Sequence, residues 1–240
     1  KYSKWTPYNY CINNPIKIVD RDGMDIDPAT EEKVTHLVDK NSKTYNDEFA
    51  QIYNKLKDDH STVYSFNEKL KPWENKSGGK VYGNVTYDGT NENDQYKIGI
   101  NYTTNTGTSG LSSSSPLFEE TYHAGQFSDG KFGFFKLTGD AFGLDIFDEA
   151  EAKLFAAQNT PDNKYGLENK LLNAYNKSKS LNDVVDFVKK RPSLIEYNNI
   201  EQQKLNVIEW LDYSGNQNLM PYFDSNGRST INGAIMRKPK

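Results

Sequence analysis

Two neighbouring segments, "GGKVYGNVTYDG" (78–89) and "QYKIGINYTT" (95–104), constrain the fold more than anything else in the chain. Each alternates with a period of two, the pattern of a strand whose successive side chains point to opposite faces. The run "DGTNEND" (88–94) between them is built of turn formers. The pair therefore reads as a hairpin with a loop of several residues, and one face of it needs a cover. A polar loop, "NTGTSGLSSSS", follows and is expected to be mobile. Ser115 as N-cap with Pro116 at the first helical position then starts a helix that could supply the cover.

The remaining pattern is helical. Phe49, Ile52, Tyr53 and Leu56 fall at i, i+3, i+4 and i+7, which predicts an amphipathic helix near 45–58. Beyond the glycine-punctuated "SDGKFGFFKLTGDAFG", helices are expected at "DIFDEAEAKLFAAQ", "GLENKLLNAYNKSK", "LNDVVDFVKKR" and "NNIEQQKLNVIEWLDY". No internal repeat at a fixed period is present. The fold class that follows is α+β: a small antiparallel sheet packed on the helix from 115, followed by a mainly helical subdomain over about 163–213.

The helix after Pro116 also carries the chemistry. It reads "PLFEETYHAGQF", with Glu119 and His123 four residues apart and Glu120 directly after the first. At that spacing two side chains leave one helix face toward a common point, as the two histidines do in the zinc-protease pattern His-Glu-x-x-His. A carboxylate oxygen binds Zn²⁺ at nearly the distance of an imidazole nitrogen, so Glu119 could fill the first position. Glu120 stands where that pattern has its general base. A third ligand would come from a later helix, and "FDEAEAKLFAA" offers Glu149 and Glu151. Two carboxylates and one imidazole move the preference from Zn²⁺ toward Mn²⁺ or Fe²⁺. Gln126, three residues after His123, faces roughly the same way and could orient its ring, touch substrate or be a helix-surface amide. The bland alternative is that Glu119 and His123 form an ordinary i, i+4 pair and that the later acids favour a helix N-terminus.

Composition removes several other classes. Cys11 is the only cysteine, so neither a disulfide framework nor a thiolate metal site can be built within the chain. With 29 basic against 33 acidic residues, and no basic run longer than "KKR" at 189–191, a nucleic-acid partner is not favoured. No apolar run reaches the length of a bilayer span, and "KYSKWTPYNY" lacks the apolar stretch of a signal peptide. Starting at Lys within an aromatic-rich phrase, the chain is expected to be part of something longer. His36 and His60 sit among charged residues read as N-terminal helices and are taken as surface groups.

The phrase "WTPYNYCINNPIKIVDRDGM" (5–24) carries a resemblance of its own. Trp5, Pro7, Tyr8, Asn9, Tyr10, Asn13, Asn14, Pro15, Asp20, Asp22 and Gly23 match in order and spacing the end of the core of Rhs/YD-repeat proteins. In those proteins a shell of repeats encloses a variable C-terminal effector, often a toxin used against competing cells. The resemblance implies that residues 1–24 are the end of such a core and 25–240 the effector. It also implies a bacterial protein, secreted or at the cell surface, with an immunity protein as partner.

Residues 80–158 in turn resemble the gluzincin-like metallopeptidase toxins found at the C-termini of Rhs proteins, in which a strand precedes the motif helix and a downstream Glu-Ala completes the site. That resemblance implies a divalent metal held by His123 and Glu151, with Glu119 in a histidine's place. It also implies Glu120 as general base and a peptide or protein substrate, for which a preceding strand such as "YKIGINYT" (96–103) would supply the cleft edge. Two other readings remain: a non-catalytic domain of the same fold that binds a partner, and a toxin acting on nucleic acid or a nucleotide.

Overall fold

A computed structural model describes residues 25–190 except 27, 76, 77, 108, 135–138, 140, 143, 145 and 161–165. The core-like phrase at 1–24 and the helix expected at 198–213 lie outside the described residues. In chain order the elements are β1 (Asp25–Ile26), α1 (Pro28–Val38), α2 (Asp47–Lys57), β2 (Thr62–Glu68), β3 (Trp73–Glu74), β4 (Lys80–Val81), β5 (Gly83–Thr90), β6 (Tyr96–Tyr102), α3 (Ser115–Asp129), β7 (Gly133–Phe134), β8 (Ala141–Phe142), α4 (Ile146–Asn159), α5 (Leu167–Ser178) and α6 (Leu181–Lys189). This is an α+β fold, and no helix among the described residues is long and apolar enough to cross a membrane.

The expected hairpin is β5 and β6, antiparallel, with Val85 opposite Ile100 and an irregularity between Tyr87 and Thr90. The sheet as a whole is mixed rather than antiparallel. Its order is β1-β2-β6-β5, and β2 runs parallel to β6, with Tyr64 opposite Ile98 and Phe66 opposite Ile100. The physical reason is connectivity: α1 and α2 precede β2, and a parallel neighbour needs a long crossover, which the chain from 69 to 95 supplies. Strand β2 alternates as a half-buried strand should, with Thr62, Tyr64 and Phe66 buried. His36 falls in the last turn of α1, whereas His60 lies in the turn before β2; both are exposed.

Helix α3 fills the middle of the molecule. It is buried on nearly every side, from Leu117 and Phe118 to Gln126 and Phe127, and packs against β5, β6, α2 and α4. It begins one residue earlier than expected, with Ser114 as N-cap making no side-chain cap bond and Ser115 already helical. It ends at Gly130, whose φ of 71° is the left-handed turn-off that glycine accepts most readily. Gly125 lets α2 close on it, since a Cβ there would meet Ile52 at 3.1 Å. The preceding polar loop is tied down: the Ser112 amide donates to Glu168 at 2.8 Å, and the Leu167 amide donates to the Gly110 carbonyl at 3.0 Å.

Two apolar cores result. One lies between the sheet and α3 and is built largely of rings, with Phe49, Tyr64, Phe66, Tyr102 and Phe118 all at 2% exposure or less. The other joins α4 to α5 and α6 through Ile146, Phe147, Ala150, Ala157, Leu171, Val184, Val185 and Val188. Helix α4 belongs to both, because Phe155 and Ala156 face the first.

Candidate metal and acid–base site

The site forms where α3 and α4 meet beneath the edge of the sheet. Glu119 and His123 leave one side of α3, and α4 brings Glu149 to them. One ligand atom from each of the three lies within 4.8 Å of the others, so the group could hold a metal ion. Nε2 of His123 stands 3.2 Å from Oε2 of Glu149. Two ligands bound about 2.0–2.1 Å from a tetrahedral ion stand roughly 3.3 Å apart, so this spacing suits a shared cation.

The hydrogen bonds of His123 sharpen that point. Nε2 of Gln126 donates to the Asp148 carbonyl at 3.0 Å, which leaves the Gln126 Oε1 to accept from Nδ1–H of His123 at 2.8 Å. With its proton on Nδ1, a neutral imidazole would aim the Nε2 lone pair at a carboxylate oxygen. The arrangement therefore calls for a positive charge between them, either a second ring proton or a metal ion. Burial opposes protonation of His123, but the Glu149 hydrogen bond and the nearby carboxylates overcome it and raise the ring to about 9. A backing hydrogen bond on the far nitrogen is also what fixes a ligating histidine in place.

A fourth charged group completes the cluster. Nζ of Lys153 lies 2.6 Å from Oε1 of Glu119 and 3.0 Å from Oε1 of Glu149, one helical turn away on α4. Burial presses this ammonium toward losing its proton, yet Glu119 and Glu149 outweigh that and hold it protonated beyond the ordinary lysine range. Glu149 responds in kind: burial resists its charge, while Lys153 and His123 press its carboxyl well below the usual range.

Glu120 sits beside this cluster at 6% exposure. Burial pushes its carboxyl up to about 8, with His123 and Lys153 pulling against and Glu119 and Glu149 adding to the shift. Its side chain lies on the backbone of β5, where a Cβ on Gly83 would come within 2.5 Å of its Cγ and 2.6 Å of its Oε1. Glycine inside a strand often marks such a close approach. Glu119, Glu120, His123 and Glu149 line one cavity of about 310 Å³, walled by Val81, Gly83 and Val85 on the sheet side and by Phe132, Ala141 and Leu144 opposite. Among the described residues β5 pairs with β6 alone, so β5 forms the sheet edge along this cavity, whereas β6, the strand expected to edge it, lies inside the sheet between β2 and β5.

Of the residues named from sequence, Glu119, Glu120 and His123 come together here, and Gln126 is buried and holds His123, one of the three readings it carried. Glu151 does not join them. Its Oε2 takes Lys131 at 3.3 Å and Gln126 at 3.4 Å, and it lines a different groove with Tyr122 and Phe155. Glu149 and Glu151 differ by roughly 200° around a helix, so only Glu149 reaches His123, and Glu151 meets α3 at Gln126 instead. Lys153 and Gly83 were not singled out. A lysine four residues after Glu149 and a glycine within an alternating strand were the signals.

The donor set of two carboxylates and one backed imidazole fits a divalent ion. No protein-family model, curated protein or solved structure matches this chain.

Proposed function

We propose that the chain is a metal-dependent, peptidase-like hydrolase, the C-terminal effector of an Rhs/YD-repeat protein that acts from a bacterial surface or after secretion and is restrained by an immunity protein. The observation that supports the activity is the convergence of a buried carboxyl, Glu120, with the Glu119, His123 and Glu149 group in one cavity along the sheet edge. A divalent ion held by those three would supply Lewis acidity, drawing electron density from a water and from a substrate carbonyl oxygen. Glu120 takes the proton of the attacking water and returns it to the amine nitrogen as the peptide C–N bond breaks. Gln126 keeps the His123 ring in register throughout. An extended substrate lies along β5, its backbone N–H and C=O groups pairing with those of the edge strand.

A second reading has its own observation. Lys153 pairs with both carboxylates, so the cluster is electrostatically satisfied as it stands and could hold α3 against α4 in a domain that only binds a partner. Elemental mass spectrometry of the purified chain and of His123→Ala, after exposure to Zn²⁺ and Mn²⁺, separates the two. Near-stoichiometric metal that is lost in the variant supports the hydrolase. Glu120→Gln should then keep fold and metal and lose about 10²–10⁴-fold in cleavage of a peptide library. Metal in neither protein, or toxicity that survives Glu120→Gln, turns the function toward binding.

A further inference from the structure

We infer that Lys153 is the counterpart of Glu119, the positioning residue whose ammonium offsets the charge that a carboxylate adds in an imidazole's place. This rests on the metal reading above. With one carboxylate, two imidazoles, a dication and an ionised general base, a site of this kind sums to zero. Glu119 in place of an imidazole lowers the sum to −1, and Lys153 restores it. The geometry matches that role. Lys153 lies on Oε1 of Glu149 while His123 faces Oε2, so the ammonium and the proposed ion position address different oxygens of one carboxylate. On Glu119 it also takes Oε1, leaving the second oxygen for a ligand's role. Lys153 is one helical turn from Glu149, so any placement of α4 that delivers one delivers the other.

By holding Oε1 of each, Lys153 lets two half-buried carboxylates stand ionised side by side before metal arrives. With a divalent ion held by Glu119, His123 and Glu149, the Lys153 ammonium would weaken the donation of both carboxylates and so leave the ion a stronger Lewis acid. Lys153 thus trades affinity for reactivity. Removing its charge should tighten metal binding, move the pH profile of any hydrolysis upward, and leave two carboxylates uncompensated in the metal-free protein.

The test is a double-mutant cycle on the full chain with Lys153→Met, Glu119→His and both together, alongside Lys153→Arg. Zn²⁺ and Mn²⁺ affinities are read by competition with a chromophoric chelator, and metal-free stability by urea unfolding. Each single change should raise the metal-free unfolding constant about a hundredfold or more, with the double variant recovering most of that loss. If Lys153→Met does not fold alone, recovery in the double variant still reports the coupling. Lys153→Met should bind metal about tenfold or more tighter than the parent, and Lys153→Arg should resemble the parent. Effects on stability that simply add, or parent-like affinity in Lys153→Met while the parent binds metal through His123, would overturn this inference and spare the metal reading. Metal bound by neither the parent nor any variant would remove both.

Discussion

The two cores of the molecule are made of different side chains, and the site lies where they meet. The sheet core is a stack of rings: Phe118 packs edge-on to Phe49 at 5.4 Å and to Phe155 at 6.2 Å, while Phe127, Phe132 and Phe134 form a triangle with centroids 5.6–5.8 Å apart. The helical core is small and aliphatic, with Phe147 its one buried ring. Rings have preferred mutual geometries and fix the rotation of a helix packed among them, whereas alanines and valines let helices close with less directional constraint. Glu119, Glu120 and His123 stand on α3, which the rings hold on one side of the seam. Glu149 and Lys153 stand on α4, which is held from both sides.

The comparison predicts an asymmetry between truncations. Phe118→Ala removes a ring that is 2% exposed and adjoins Glu119, and should cost about 3–5 kcal/mol in urea unfolding, with metal binding lost alongside. Leu171→Ala, also 2% exposed but in the helical core, should cost about 2–3 kcal/mol, because α5 and α6 can settle into the space. Metal content in the folded fraction should stay unchanged. Equal loss of metal in the two variants would mean that the helical core positions the site as firmly as the rings do.

The seam itself should show in the pH dependence of the metal-free chain. Glu120, raised from 4.5 to about 8, binds its proton more tightly when folded, so its contribution is complete below 4.5 and is lost as pH climbs to 8. His123, raised from 6.5 to about 9, contributes fully below 6.5 and loses that contribution toward 9. Glu149, lowered, contributes above 4.5 and loses that as pH falls. Stability should therefore be greatest near pH 4.5, decline above it as Glu120 loses its proton, and decline more steeply above 6.5, where His123 adds its own loss up to about 9. His123→Gln should flatten the decline between 6.5 and 9, as followed by urea midpoints across that range. An undiminished decline in that variant would assign it to Glu120 or another group and remove His123 as its source.

The same asymmetry governs what the sequence disclosed. The hairpin β5–β6 and helices α2, α3, α4, α5 and α6 were visible because each carries its own periodicity within a dozen residues. Strand β2 was not, although Tyr64 and Phe66 alternate with Ser65 and Asn67, because its partner β6 is some thirty residues away and parallel pairing leaves no local mark. The candidate site was half visible for a similar reason. Glu119, Glu120 and His123 share one helix, so their spacing states their geometry. The choice between Glu149 and Glu151 depends on how α4 is rotated, and apolar residues on several of its faces leave that rotation open until both cores are in place. Lys153 is legible only after Glu149 has been chosen.

The smallest structural change should be the most informative about Glu120. Gly83 is a strand residue whose φ is not among the positive values, so its backbone accepts alanine. The new methyl would meet Glu120 side-chain atoms at 2.5–2.9 Å, and that flexible side chain, rather than any backbone, must give way. Alanine in place of glycine reduces the freedom of the unfolded chain by about 0.4–1 kcal/mol, which offsets the cost of moving one side chain. Gly83→Ala should accordingly unfold within about 1 kcal/mol of the parent. The three atoms nearest the added methyl all belong to Glu120, so metal content should hold. If the chain is the hydrolase proposed above, displacing Glu120 by about an ångström should lower kcat on the order of 10²-fold. Parent-level cleavage by Gly83→Ala with its metal in place would show that the proton is carried by some group other than Glu120, and that the sheet edge positions nothing the chemistry needs.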